Sequence, residues 1–150
     1  MGRMHEVARG VVGVVALTAL VGCSGDPPAT ESISGLHFTS ATLLAGNPPP
    51  AVDVTLTDPT PTRAIYASTL ALPDFPSGTF NCPVDFGIRY TIVFDVGGAH
   101  ALTAVLSPGG CGDVTISGSS TRRAIDPTYW ASLAQNLGVE ESAIYPPPRP

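Results

Sequence analysis

The chain has 150 residues, with seven basic and twelve acidic side chains and a net charge of −5 at pH 7. It contains no lysine. Nucleic-acid affinity comes largely from neutralising phosphates with lysine and arginine, so this composition argues against a nucleic-acid partner. Sixteen prolines and sixteen glycines argue against long helices and favour short strands joined by turns.

The N-terminus has the pattern of a secretory leader. Residues 10–22 are apolar or small apart from one threonine and would measure about 20 Å as a helix. This is shorter than the ~30 Å hydrocarbon core of a bilayer, so residues 1–22 are predicted to be a signal peptide and not a membrane span.

The leader ends in Leu20-Val21-Gly22-Cys23, which resembles the lipobox of bacterial lipoproteins. The resemblance implies lipid attachment to the Cys23 thiol, acyl chains such as palmitate, and cleavage before that residue. Two acyl chains are enough for stable attachment, here at the extracytoplasmic face of the cell membrane. The alternative is an ordinary secretory peptide that happens to contain a cysteine. If Cys23 carries the lipid, residues 23–34 are expected to form a flexible tether between the membrane and the folded domain.

The other two cysteines, Cys82 and Cys111, form an even pair in an oxidising compartment. We predict a disulfide between them, worth roughly 3–4 kcal/mol in the chain-entropy model. Two free thiols are the alternative. No histidine cluster accompanies the cysteines, so no metal site and no cofactor are expected.

The first half of the mature chain predicts two strands and a helix. A strand is expected over residues 36–44, and a second over residues 51–57, where apolar and polar residues alternate. Asp58-Pro59 is typical of a helix N-cap followed by proline at the first position. Residues 63–72 fit a helical stripe and partly fit a strand, and the N-cap favours the helix. Residues 74–81 are expected to form a loop.

The second half predicts a β-meander. Residues 88–96 alternate most clearly, Gly97-Gly98 is typical of a hairpin turn, and residues 99–107 and 114–117 follow as further strands. Antiparallel pairing would bring the chain just before the first strand close to the chain just after the second. This placement independently supports the Cys82–Cys111 bridge. Arg122-Arg123 is expected to be a solvated corner.

A final amphipathic helix is predicted from Asp126-Pro127 to Gly138, with Trp130 as a core anchor. Residues 140–150 are proline-rich and form either a loose terminus or a polyproline segment that could dock an aromatic groove. The expected fold is α+β, an antiparallel sheet of four or five strands with two helices packed on one face, over residues 35–139.

Catalytic groups are sparse in the mature chain. The two remaining histidines are His37 and His100, and no nucleophile, phosphate-loop or zinc motif accompanies them. The prediction is therefore that the protein is not an enzyme, with a small hydrolase as the least favoured alternative.

The segment around Cys82-Pro83-Val84-Asp85 resembles the reactive-loop region of the subtilisin inhibitor-like family, over about residues 63–111. That resemblance implies a serine protease inhibitor with its reactive bond after Val84, held rigid by the Cys82–Cys111 bridge. Pro83, Val84 and Asp85 are thus the candidate interaction loop. The family has a second disulfide that this chain lacks.

A broader resemblance covers most of the mature chain. Its composition, the Cys-Pro-x-Asp-x-Gly segment at residues 82–87 and the aromatic final helix resemble small envelope lipoproteins of high-GC Gram-positive bacteria. This resemblance implies an envelope address and no particular activity. The leading hypothesis is a membrane-anchored binding or interaction module with an unidentified envelope protein as partner, attached to the membrane through lipid on Cys23.

Overall fold

In the computed structural model, residues 32–42, 51–85, 87–97 and 100–145 are described, except for the side chains of Thr42, His100 and Ala101. Cys23 with its lipobox, most of the predicted tether and the last five residues lie outside these ranges. The described strands are β1 (Ile33–Thr42), β2 (Asp53–Leu56), β3 (Ile88–Val96), β4 (His100–Ser107), β5 (Asp113–Ile116) and β6 (Arg122–Ala124). The described helices are α1 (Pro59–Ala71), α2 (Pro127–Leu137) and α3 (Glu141–Ile144), and none is long and apolar enough to cross a membrane.

The strands form one antiparallel sheet in the order β2-β1-β3-β4-β5-β6, so the predicted α+β class is confirmed. The predicted meander is present as β3, β4 and β5. The sheet has one strand more than expected, because the chain after β5 returns along it as β6.

The prediction of a corner at Arg122-Arg123 was wrong, although the Arg122 side chain is 54% exposed, as expected of a solvated residue. Both residues belong to β6, where Arg122 lies opposite Thr115 and Arg123 opposite Val114. Val114 is fully buried, so Arg123 shares the core face. Its guanidinium Nη1 donates a 2.6 Å hydrogen bond to the Leu72 carbonyl at the C-terminal end of α1. A cation there is favoured because the last helical carbonyls have no partner within the helix.

The two long helices begin directly after their predicted N-cap residues, Asp58 and Asp126. The Asp58 carboxylate accepts a hydrogen bond from the Thr60 amide at 2.8 Å, and residues 63–71 of the ambiguous segment are helical, with Leu72 as the C-cap. Asp126 accepts from the Tyr129 amide at 2.9 Å, and α2 ends at Gly138, whose φ of 70° is left-handed.

The core lies between one face of the sheet and the helices. Alternate residues of the central strands point into it, including the fully buried Phe38, Tyr90 and Ile92. Trp130 on α2 is 2% exposed and packs edge-on against Tyr90, which confirms its predicted role as a core anchor. The opposite face of the sheet carries partly or fully exposed side chains, among them Thr91 and Thr103.

The folded unit extends beyond the predicted domain boundaries of 35 and 139. It begins with β1 at Ile33, and its C-terminal end reaches Tyr145. Ile144 on α3 is fully buried, and the Tyr145 ring stacks on Trp130 with centroids 5.6 Å apart. The segment after Gly138 thus completes the core instead of starting a loose tail, and the residues of the proline run beyond Tyr145 lie outside the described chain.

Candidate functional site

A disulfide joins Cys82 and Cys111, with their Cα atoms 4.8 Å apart. Cys82 precedes β3 and Cys111 follows β4, and antiparallel pairing of these strands brings the two ends together. This is the geometry that the sequence predicted. The bridge ties the chain entering the meander to the turn that leaves it.

The chain leading into the bridge is the most exposed irregular segment described. Residues 76–85 are each exposed, and we call this segment the bridged loop. In the described part of the chain, two large hydrophobic side chains stand exposed, and both belong to it: Phe80 at 45% and Val84 at 72%. Two exposed apolar side chains on a loop that a disulfide closes form a candidate contact surface for another protein.

The entry to the bridged loop is attached to the sheet edge. The Ala124 amide donates to the Pro73 carbonyl at 2.9 Å, and the Phe75 amide donates to the Arg122 carbonyl at 2.8 Å. The Arg122 guanidinium lies 4.4 Å from the Phe75 ring centroid. These contacts cover the outer edge of β6 and fix the position from which the loop departs.

The exit from the loop is held by an ion pair. Asp85 Oδ2 accepts from Arg89 Nη2 at 2.7 Å, and Asp85 Oδ1 accepts from Arg89 Nη1 at 3.2 Å. The Gly87 amide also donates to Oδ1, at 2.9 Å. The Arg89 guanidinium, helped by the Gly87 amide, holds the pKa of the Asp85 carboxyl below its usual value, while partial burial opposes this shift. A bidentate pair of this kind fixes direction as well as distance.

A shallow cleft of about 410 Å³ lies beside the bridged loop, on the face of the sheet that the helices leave uncovered. Val105, Ser107 and Thr115 contribute to its floor. Its charged lining residues form two pairs of opposite charge. The first is the Asp85–Arg89 pair, and in the second Asp113 lies 3.9 Å from Arg122. Because each charge has an opposite neighbour, the cleft offers no surplus charge for an ionic ligand.

One histidine lies beside a carboxylate. His37 Nε2 is 2.8 Å from Asp53 Oδ1, with the two side chains 48% and 74% exposed. The pair lies on β1 and β2, at the opposite end of the sheet from β6. In the described chain it has no hydrogen bond to a serine, threonine or cysteine side chain, and no group of three metal-ligating residues is found there.

The structure brings Pro83, Val84 and Asp85 to the surface directly after the bridged Cys82, as the loop prediction requires. Sequence reasoning missed Phe80 and Arg89. Phe80 is a single aromatic residue in an irregular segment after Pro-Ser-Gly-Thr, so it belonged to no helical or strand repeat that could have marked it. Arg89 alternates with apolar residues in a strand, and this pattern indicated that its side chain points away from the core. The pattern did not indicate that Asp85 would be its partner.

Strand alternation places Arg89, Asp113 and Arg122 on the helix-free face, and Asp85 reaches the cleft from the loop. Cys82 and Cys111 lie on the loop side of the cleft. The site is therefore an exposed loop, closed by a disulfide and carrying Phe80 and Val84, beside a charge-balanced groove. Comparison of the chain with protein-family models, with curated proteins and with solved structures gave no match.

Proposed function

We propose that this protein is a non-enzymatic binding module, held on the extracytoplasmic face of the cell membrane through lipid on Cys23, whose partner contacts the bridged loop. The observation that carries the proposal is the exposure of Val84 and Phe80 on a loop closed by the Cys82–Cys111 disulfide. A loop already fixed before binding loses less conformational entropy when the partner docks, so its apolar contacts yield more affinity.

A photo-crosslinking amino acid tests the surface. It replaces Val84 in the full-length chain in cells, and Ser132 on the exposed side of α2 serves as the matched control position. A specific crosslinked protein at position 84 and none at position 132 is expected. Equal crosslinking at both positions, or crosslinking only at 132, would place the partner surface elsewhere.

The lipid anchor has its own test. Cells are labelled with an alkyne analogue of palmitate, and the membrane fractions of the parent and of Cys23→Ala are compared. The parent should carry the label and sediment with membranes, and Cys23→Ala should do neither. A labelled Cys23→Ala protein would show that another residue is acylated.

A second function, inhibition of a serine protease with the reactive bond after Val84, is favoured by one observation. Val84 is 72% exposed and lies between two attachments, the Cys82 bridge before it and the Asp85–Arg89 pair after it. An inhibitor must present its bond firmly enough to bind without being rapidly cleaved. The full chain carrying Cys23→Ala is mixed with a subtilisin-type enzyme and elastase, and residual activity and the mass of the chain are followed. Tight inhibition with slow cleavage after Val84 is expected, and rapid cleavage without inhibition would contradict this function.

A further inference from the structure

The side chain at position 84 restricts which proteases the bridged loop can fit. In serine proteases, the residue before the cleaved bond enters a primary pocket whose chemistry decides specificity. A pocket carrying a buried carboxylate needs a cation, and a deep apolar slot needs an aromatic side chain. Val84 is short, β-branched and uncharged. It would leave the buried carboxylate of the first kind of pocket without a cation, and it would fill only a small part of the deep apolar slot.

A pocket that is small and apolar suits Val84. Its branched methyl groups restrict rotation about χ1, so little side-chain entropy is lost when the residue is bound. At 72% exposure most of the residue's surface is available for burial. Position 84 therefore matches an elastase-type pocket on size, shape and charge.

Asp85 follows the candidate bond, where a free carboxylate would be buried against the enzyme. Burying an unpaired charge is costly. Here both carboxylate oxygens already accept hydrogen bonds, from the Arg89 guanidinium and the Gly87 amide. The charge is thus compensated within the protein, and the carboxylate does not call for a cation on the partner.

The same pair ties the loop to the sheet. Arg89 is the second residue of β3, and the negative charge of Asp113 on β5 also favours its charged form by raising its pKa. A Cβ added at Gly110, beside the bridged Cys111, would lie 3.6 Å from the Asp85 Cβ, so the turn before Cys111 lies directly against the loop. The bond after Val84 is therefore held on one side by a covalent bridge and on the other by a paired carboxylate.

From these contacts we infer that the bridged loop fits a serine endopeptidase with a small apolar, elastase-type primary pocket, and that Asp85 and Arg89 are a positioning pair for the bond after Val84. The inference rests on the proposed inhibitory function.

The specificity is tested with the full chain carrying Cys23→Ala, alone and with Val84→Arg or Val84→Phe. Inhibition constants are measured against an elastase-type, a trypsin-type and a chymotrypsin-type enzyme. The parent should inhibit the elastase-type enzyme most tightly, by on the order of 100-fold over the other two. Val84→Arg should transfer inhibition to the trypsin-type enzyme, and Val84→Phe to the chymotrypsin-type enzyme.

The possible failures are distinguishable. If the parent inhibits no enzyme of the panel while Val84→Arg inhibits trypsin, the loop is inhibitory and the specificity inference is overturned. Equal inhibition of all three enzymes by the parent would also overturn it. If no variant inhibits any enzyme, the inhibitory function itself fails, and the inference fails with it.

The positioning pair is tested with Asp85→Asn and Arg89→Gln, using Asp95→Asn, an exposed residue of the central strand β3, as the control. The rate of cleavage of the bond after Val84 is measured relative to the strength of inhibition, and this ratio is compared among the variants. The thermal unfolding midpoint of each variant is measured in parallel. Both pair variants should raise the ratio at least about 10-fold with little change in unfolding midpoint, since an ion pair that remains partly open to solvent contributes little to global stability. An unchanged ratio in both pair variants, or an equal rise in Asp95→Asn, would overturn the positioning role.

Discussion

The hydroxyl of Tyr129 on α2 lies 2.8 Å from Thr69 Oγ1 on α1, in a buried contact between the two helices. Thr69 donates its own hydroxyl proton to the Ile65 carbonyl at 2.7 Å, so Tyr129 is the donor to Thr69. This bond links the helix before the bridged loop to the helix that follows the sheet.

Removing that hydroxyl should destabilise the fold. Tyr129→Phe keeps the ring against Trp130 and loses the interhelical hydrogen bond, so the free energy of unfolding should fall by about 1 kcal/mol. Urea unfolding measures the difference. Tyr145→Phe is the control, since its ring stacks on Trp130 in the described structure, and it should change stability by less than about 0.5 kcal/mol. Equal losses in both variants would assign the effect to something other than this bond.

The two buried tyrosines predict a loss of stability in alkaline solution. Burial raises the pKa of Tyr90 and of Tyr129 to about 12, from an ordinary value of 10.0. Below pH 10 both states keep these hydroxyls protonated, and the stabilisation is complete. As pH rises from 10 towards 12, the unfolded chain loses its phenolic protons first, which favours unfolding. The urea midpoint should fall across this range and fall less steeply in Tyr129→Phe; identical slopes would contradict the assignment to Tyr129.

The disulfide should contribute a large share of the stability. Replacing both Cys82 and Cys111 by alanine releases a loop of 29 residues and should lower the free energy of unfolding by roughly 3–4 kcal/mol. The comparison is made in a Cys23→Ala background so that no other thiol can exchange. Guanidinium unfolding with and without reductant gives the measurement. The parent in reductant should match the double variant, and a loss below about 1 kcal/mol would show that the bridge adds little.

Arg123 and Arg122 are neighbours whose replacement should have different effects. Arg123→Met removes the charged hydrogen bond to the Leu72 carbonyl at the end of α1 and should cost about 1–3 kcal/mol. Arg122→Met removes an exposed contact with Phe75 and the 3.9 Å ion pair with Asp113, and it should cost less than about 1 kcal/mol. Thermal and urea unfolding compare the two variants. A larger loss in Arg122→Met would show that the helix-end contact is not the more important one.

Much of the fold followed from local patterns in the sequence. Asp58-Pro59 and Asp126-Pro127 located both helix starts, because an aspartate cap and a first-turn proline act within a few residues. The strict alternation in β3 located the central strand, because its side chains point alternately to opposite faces of the sheet. The Cys82–Cys111 pairing followed from the hairpin that brings those residues together.

Other features depended on contacts between residues distant in the chain. β6 is only three residues long, which is too short for an alternating pattern to mark it, and the bond from Arg123 to Leu72 joins residues 51 positions apart in the chain. Ile144 becomes core only because α3 folds back to the aromatic cluster at Trp130.

For the candidate site, the sequence by itself specified the bridge and the residues Pro83, Val84 and Asp85 that follow Cys82. The tertiary structure decided which of them face outward and what holds them. Val84 is exposed because the loop lies outside the sheet, and the Asp85 carboxylate is directed to Arg89 because β3 carries that arginine beside it. Exposure and charge pairing are properties of the packed chain, since each depends on which neighbours the fold supplies.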